Sequence, residues 1–188
     1  MNKKNCIDCL HVLKKQTANC SICPLAKLGR TQVVFGFGNP QAKIMFIGEA
    51  PGRDEDKQGY PFIGRAGQLL TKIIQDMKLS REDVYISNVV KCRPPNNRVP
   101  LPIESNTCKQ LILFKEIDII KPEVICTLGS TAAQALLGDT VSFGRIRGTW
   151  CDFKKTPVMP TYHPAYLLRN PSAKRVVWED MQKVMMKL

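Results

Sequence analysis

The sequence has no long apolar run. Its longest stretches, such as Ile44–Ile47 and Val124–Leu128, are far too short to cross a bilayer. The opening residues, Met-Asn-Lys-Lys-Asn-Cys, hold no apolar segment like a secretory leader, so the expected location is cytoplasmic. Acidic residues are few, 16 against 28 Lys and Arg, which leaves a net charge of +12. A surplus of that size favours a polyanionic partner, although a generally basic proteome would give the same balance. Histidine is scarce, with only His11 and His163 present. The phosphate-cradling pattern G-x-x-x-x-G-K-[ST] is absent, which weighs against a P-loop enzyme. There is no internal repeat, low-complexity tract or long linker.

What remains is a globular composition, 44% hydrophobic and 23% charged over 188 residues. That length suits a single domain over residues 1–188 with one sizeable core, and a Cys-rich, Lys-rich lead-in over 1–30. Nothing in the pattern suggests a subunit interface, so a monomer is expected. Eight cysteines in a cytosolic chain point to metal or cluster ligation rather than disulfides. Cys126, inside an apolar run, reads as a small buried hydrophobe.

Short apolar strands alternate with helical patterns. Strands are expected at Gln41–Gly48, Val84–Val90, Glu123–Leu128 and Pro157–Thr161. Helices are expected at Ala66–Met77, Ile103–Ile120, Thr131–Leu137 and Ala173–Leu188. Glu49–Gly64 reads as a loop, and Lys91–Pro102, with its four prolines, cannot be regular helix. The alternation predicts a three-layer α/β/α fold around a mostly parallel sheet. In such sheets ligands bind at the carboxyl ends of strands. Three predicted strands end in polar segments there: Gly48-Glu-Ala, Asn88-Val-Val-Lys-Cys and Thr161-Tyr-His.

These ends carry the candidate site. Glu49, Asp54, Glu55 and Asp56 gather acids in an otherwise basic chain, where they would repel phosphate. Such a loop is often merely solvated; here its acids are candidates for positioning a water or steadying a sugar cation. Asn88 sits at a strand end, where a turn-forming role is the ordinary alternative. Its amide can accept and donate at once, which suits reading the polar edge of a ligand. Arg65, Lys91, Arg93, Arg98 and Arg169 are candidates to hold phosphates.

The stretches GEAPGRDEDKQGYPFIGRAGQLL, ISNVVKCRPPNNRVP, PTYHPAYLLRNP and CPLAKLGR resemble the motifs of the family 4, iron–sulfur uracil-DNA glycosylases. They span residues 20–188 in the expected order. The resemblance implies an uracil-DNA glycosylase-like fold and a monofunctional enzyme that flips uracil from single- or double-stranded DNA and hydrolyses its N-glycosidic bond. No lysine stands out as a Schiff-base nucleophile. By the same resemblance Gly48, Ala50, Phe62, Asn88 and His163 line the uracil site. Phe62 would stack on the base, and neutral His163 would donate to O2 of the departing uracil. Leu167, Leu168 and Arg169 would follow as an apolar wedge and a phosphate contact. Better-known uracil glycosylases carry Asp where this chain has Ala50. Glu55 is therefore the first candidate for handling the water and Glu49 the second.

The resemblance also assigns Cys20, Cys23, Cys92 and Cys108 to a [4Fe–4S] cluster with a structural role. Four thiolates suit a tetrahedral zinc equally well, so spacing alone does not choose the metal. Cys6 and Cys9 form a second C-x2-C, and C-x2-C-x10-C-x2-C taken alone also fits a zinc knuckle, which would leave Cys92 and Cys108 unexplained. The main alternative to an enzyme is an iron–sulfur or zinc module that grips nucleic acid without chemistry.

Overall fold

Ile44, Met45, Phe46 and Ile47 are all apolar because both faces of their strand are covered. The computed structural model describes residues 3–188, with side chains from Asn5 onward. Its centre is a six-stranded sheet in the order β1-β3-β2-β4-β6-β5. Strands β2 (Ile44–Gly48), β3 (Tyr85–Asn88), β4 (Val124–Leu128) and β6 (Thr156–Thr161) run parallel. Two short edge strands, β1 (Phe37–Gly38) and β5 (Cys151–Phe153), pair antiparallel at either side.

Alternation along β2 sends Met45 and Ile47 to one face and Ile44 and Phe46 to the other. The first face is covered by α1 (Lys3–Thr17), α5 (Phe114–Ile120) and α6 (Ser130–Leu137), through Leu10, Leu13, Ile117, Ile120 and Leu136. The second is covered by α3 (Arg65–Asp76), α8 (Pro164–Arg169) and α9 (Lys174–Met185), through Leu70, Ile74, Leu167, Val177 and Met181. The result is the expected three-layer α/β/α arrangement.

Three features were missed or blurred by sequence periodicity. The lead-in, for which no element was expected, carries a helix: α1 buries Cys6, Leu10, Leu13 and Thr17, a helical spacing diluted by the surrounding lysines. Within the acidic loop, Arg53–Gln58 forms a short helix, α2, which ends at Gly59 in the left-handed conformation. The helix expected at 103–120 is continuous, but α4 (Pro102–Cys108) and α5 are joined by a π-helical turn over Lys109–Leu113. A short helix, α7 (Phe143–Ile146), precedes β5.

The connections set the position of the site. The chain leaves β2 toward β3 on one side, and leaves β4 toward β6 on the other. The carboxyl ends of β2 and β4 therefore flank a topological switch point, where α/β sheets open a crevice. No described helix is long and apolar enough to cross a membrane.

Candidate functional site

A cavity of about 740 Å³ opens at the carboxyl ends of the four parallel strands. Glu49 and Ala50 after β2, Asn88 at the end of β3, Leu128–Ser130 at the end of β4 and Tyr162–His163 after β6 all reach it; Gly48 is not among the lining residues but lies behind Phe62 and Asn88. The three polar strand ends singled out in the sequence thus meet, and β4 supplies a fourth.

Asn88 is 2% exposed, and its Oδ1 is a buried acceptor with no hydrogen-bond partner among the described residues. Leaving a buried polar atom unpaired costs about 1–3 kcal/mol, so a partner is wanted there. The neighbouring strand position is Gly48, in register with Asn88. A Cβ at Gly48 would strike both the Phe62 ring and Asn88 Oδ1. Only glycine lets the ring and the amide close on the same space.

Phe62 is buried, and its backbone is left-handed at φ 53°, an uncommon state for a bulky residue. Three interactions hold it. The Arg81 guanidinium donates to Pro61 O (2.8 Å) and Phe62 O (2.9 Å). Glu55 Oε1 accepts from the N–H groups of Ile63 (3.0 Å) and Gly64 (2.9 Å). Gly67, lacking a Cβ, lets α3 approach the Phe62 backbone. Arg81 carried no sequence signal that would have found it.

His163 caps the N-terminus of α8, its Nδ1 accepting from the Ala165 N–H at 3.1 Å. A backbone N–H can only donate, so Nδ1 is unprotonated and the neutral ring carries its proton on Nε2. Burial, with Arg169 adding its charge, pushes the His163 pKa down to about 4. The ring lies 5.5 Å from that of Phe62. At neutral pH His163 is therefore an uncharged N–H donor beside an aromatic face.

The two carboxylates differ. Besides Ile63 and Gly64, Glu55 accepts from the Gly52 N–H at 3.1 Å, so three backbone amides occupy its oxygens. Its geometry is that of a loop clamp. Glu49 accepts only from the Thr131 hydroxyl, at 2.5 Å through Oε2, across the crevice between β2 and α6. Its Oε1 has no partner among the described residues, and Glu49 lines the cavity. Glu55 lines the cavity as well, but of the two carboxylates Glu49 is the one with a free oxygen.

Two candidates for contact with DNA are corrected. Lys91 is 0% exposed. Its Nζ donates to Glu116 (2.6 Å), Ser87 Oγ (2.5 Å) and the Asn88 carbonyl (2.7 Å), so it cannot reach a phosphate. Glu116 also accepts from Gly36 N–H and the Tyr85 and Ser87 hydroxyls. An acid on the apolar stripe Ile112, Leu113, Ile117, Ile120 was the signal for this buried pair. Leu167 is 1% exposed and packs in the core, because the helical turn of α8 points it inward; Leu168, at 39%, is the exposed apolar side chain. Arg98 lines the cavity, but Glu104 holds it bidentately at 2.8 and 2.7 Å and largely neutralises it. Arg93 donates to Asn97 Oδ1 within the Pro-rich segment. Arg65 and Arg169 are exposed, and Arg169 stands on the cavity rim.

Cys20, Cys23, Cys92 and Cys108 come from the turn after α1, the segment after β3 and the end of α4. Burial pushes the Cys92 thiol up, against the nearby Arg30, and Cys23 and Cys20 add to the rise. Burial pushes Cys108 up to about 12, with Cys92 and Cys23 again contributing. The four sulfurs are thus electrostatic neighbours. Arg30 donates to Cys92 Sγ (2.8 Å) and to Cys20 O (2.6 Å), while the Lys91 N–H donates to Cys108 Sγ (3.3 Å). Among the described residues, no three His, Cys, Asp or Glu side chains gather as a site for a single metal ion. Cys6 instead faces α5, donating to Ile119 O, and Cys126 is fully buried in β4.

A model of the uracil DNA glycosylase superfamily matches residues 35–182. A type-4 uracil-DNA glycosylase of Thermotoga maritima is 48% identical over 182 residues, covering 94% of this chain and 93% of the relative. That of Saccharolobus solfataricus is 45% identical over 187 residues, 95% of this chain and 86% of the relative. That of Sulfurisphaera tokodaii is 43% identical over 187 residues, 95% and 84% respectively. With the motif-bearing strand ends meeting in one cavity, the chain belongs to the uracil-DNA glycosylase superfamily, in its type-4 branch.

Proposed function

We propose that this protein is a monofunctional uracil-DNA glycosylase that initiates base excision repair. The observation that carries the reading is the unpaired Asn88 Oδ1, buried beside Phe62 and His163. Uracil N3–H supplies the missing donor, and the Asn88 amide N–H donates to O4. Cytosine, with an acceptor at N3, leaves the orphan unsatisfied. Phe62 replaces the stacking lost on extrusion, which costs a few kcal/mol and least from a mispair or a single strand.

The Nε2–H of His163 donates to O2 as negative charge builds on the leaving base. A neutral donor suits this, since it strengthens as the bond breaks without itself needing a proton from solvent. Glu49, through its free oxygen, orients the water that adds to the sugar or steadies the sugar cation. Glu55 acts through the Phe62 loop it clamps. Arg65, Arg93 and Arg169 contact phosphates, and Leu168 fills the place of the extruded base. Among the described residues that line the cavity there is no lysine to serve as a Schiff-base nucleophile.

Cys20, Cys23, Cys92 and Cys108 would hold a [4Fe–4S] cluster. The N–H donors of Arg30 and Lys91 already point at two of the sulfurs, as outer-shell partners do. The cluster would tie the lead-in to the 92–108 segment, since base hydrolysis needs no electron transfer.

Incubation with a uracil-containing oligonucleotide, followed by alkali, tests the activity. Breakage at uracil and not at cytosine or thymine is expected. DNA binding with no alkali-labile site would leave the non-catalytic module instead. Iron and sulfide at about four each per chain are expected of protein purified without oxygen, and one zinc per chain would overturn the cluster.

A further inference from the structure

The cavity has a second aromatic wall that the uracil site does not use. The rings of Tyr162 and Tyr166 stack with centroids 4.6 Å apart at an interplanar angle of 22°. The Arg147 guanidinium lies 5.3 Å from the Tyr162 centroid, and Phe143 meets Tyr162 edge-on at 5.9 Å. Arg147 is fixed by the buried Asp180, which also accepts from the Thr161 hydroxyl at 2.6 Å. The stack is therefore anchored in the core at one end, and Tyr166 at the other is 37% exposed. Among the described residues neither tyrosine hydroxyl makes a hydrogen bond, so the rings are held by their faces.

Phe143, Tyr162 and Tyr166 all line the cavity that His163 lines, and His163 sits between the two tyrosines in the chain. The exposed Arg169, on the rim of the same cavity, adds positive charge beside them. An anchored column of rings ending in a half-open aromatic face, within a basic rim, matches the chemistry of an unpaired nucleobase on its phosphate backbone. Paired bases are already stacked within a duplex and offer no free face.

We propose that Tyr166, backed by Tyr162 and Arg147, is a stacking site for an unpaired nucleobase adjacent to uracil in the same DNA strand. This extends the glycosylase reading and rests on it for the position of the strand. It makes single-stranded uracil DNA the better-held substrate. Phe62 takes the extruded base, and Tyr166 takes a neighbour that has lost its complement.

The test uses single-stranded oligonucleotides with an uncleavable reduced abasic site and 2-aminopurine at one flanking position at a time. Stacking on a tyrosine quenches its fluorescence. Quenching at one flank is expected with the unaltered protein and with Tyr166→Phe, and its loss with Tyr166→Ala. For uracil release, Tyr166→Ala should raise KM on the single strand by about 5- to 150-fold, the equivalent of about 1–3 kcal/mol per stacked base. The saturated rate and the duplex KM should change far less. Equal quenching in Tyr166→Ala, or equal loss on single strand and duplex, would overturn the proposal. Failure of the unaltered protein to release uracil would count against the glycosylase reading alone, because the quenching assay needs no cleavage.

Discussion

His163 should stay uncharged throughout the physiological range. Its Nδ1 is tied to the Ala165 N–H, and burial together with Arg169 holds its pKa at about 4. Against an ordinary value of roughly 6.5, that gap is about 3 kcal/mol in favour of the neutral ring. The sign of the stability effect follows. Between the two values the unfolded chain takes up a proton that the folded chain refuses. The contribution is complete above pH 6.5 and is lost as pH falls toward about 4. With only two histidines in the chain, NMR reads this directly. The His163 ring resonance, assigned by its loss in His163→Asn, should not move from pH 8 to 5, and its nitrogen shifts should report a proton on Nε2. The single-turnover rate at saturating DNA should show no step from this group over the same range. His163→Ala should lower that rate by roughly 10²–10³-fold, the typical loss for one donor to a developing anion, with little change in DNA binding. A midpoint near 6.5, or a loss confined to binding, would refute the reasoning, since both mark an exposed, positioning histidine.

Asn88→Asp should relax selectivity and admit cytosine, because a protonated Asp can donate to N3 while its other oxygen accepts from N4. Asn88→Ala should cost uracil release about 1–3 kcal/mol per lost buried hydrogen bond, and unchanged cleavage would remove Asn88 from base reading. Lys91→Met leaves Glu116 buried and unpaired, so urea denaturation should show a loss of about 3–5 kcal/mol. The salt dependence of DNA binding should be unchanged in any Lys91 variant that folds, whereas Arg169→Gln should flatten it. Glu49→Gln should slow the saturated rate while binding holds steady or tightens. Glu55→Gln should instead destabilise the Phe62 loop, seen as faster amide hydrogen exchange at Ile63 and Gly64. A larger rate loss in Glu55→Gln than in Glu49→Gln would restore Glu55 as the acid at the water.

The sheet was legible because four strands are short apolar runs with turn residues at their ends, and period and length alone separate these from helices. The strand-end placement of Asn88 and His163 followed from that, since parallel sheets open a crevice there, whereas their expected roles came from the resemblance. What periodicity could not supply was side-chain direction. Leu167 and Leu168 are neighbours in sequence and opposite in burial, which depends on how α8 sits on the sheet. Lys91 and Arg98 look like free cations until Glu116 and Glu104, distant or on the far side of a proline turn, are brought to them. The backbone amides that surround Glu55, and their absence around Glu49, were likewise invisible to periodicity.

The end of β3 joins these pieces. Within five residues it carries Asn88, Lys91 and Cys92, and Lys91 contacts both sides. Its Nζ holds the Asn88 carbonyl, and its N–H reaches the sulfur of Cys108, just before the π-helical turn. Glu116, on the far side of that turn, closes the loop by pairing with Nζ. A buried ion pair adds little net stability over an apolar pair of the same volume. Its value here is geometric. Apolar side chains would fill the space, but they would not fix the Asn88 backbone to the helix bearing Cys108. An orphan acceptor discriminates between bases only if it stays where N3–H arrives. The lysine that sequence assigned to phosphate is thus part of what keeps the Asn88 amide in place.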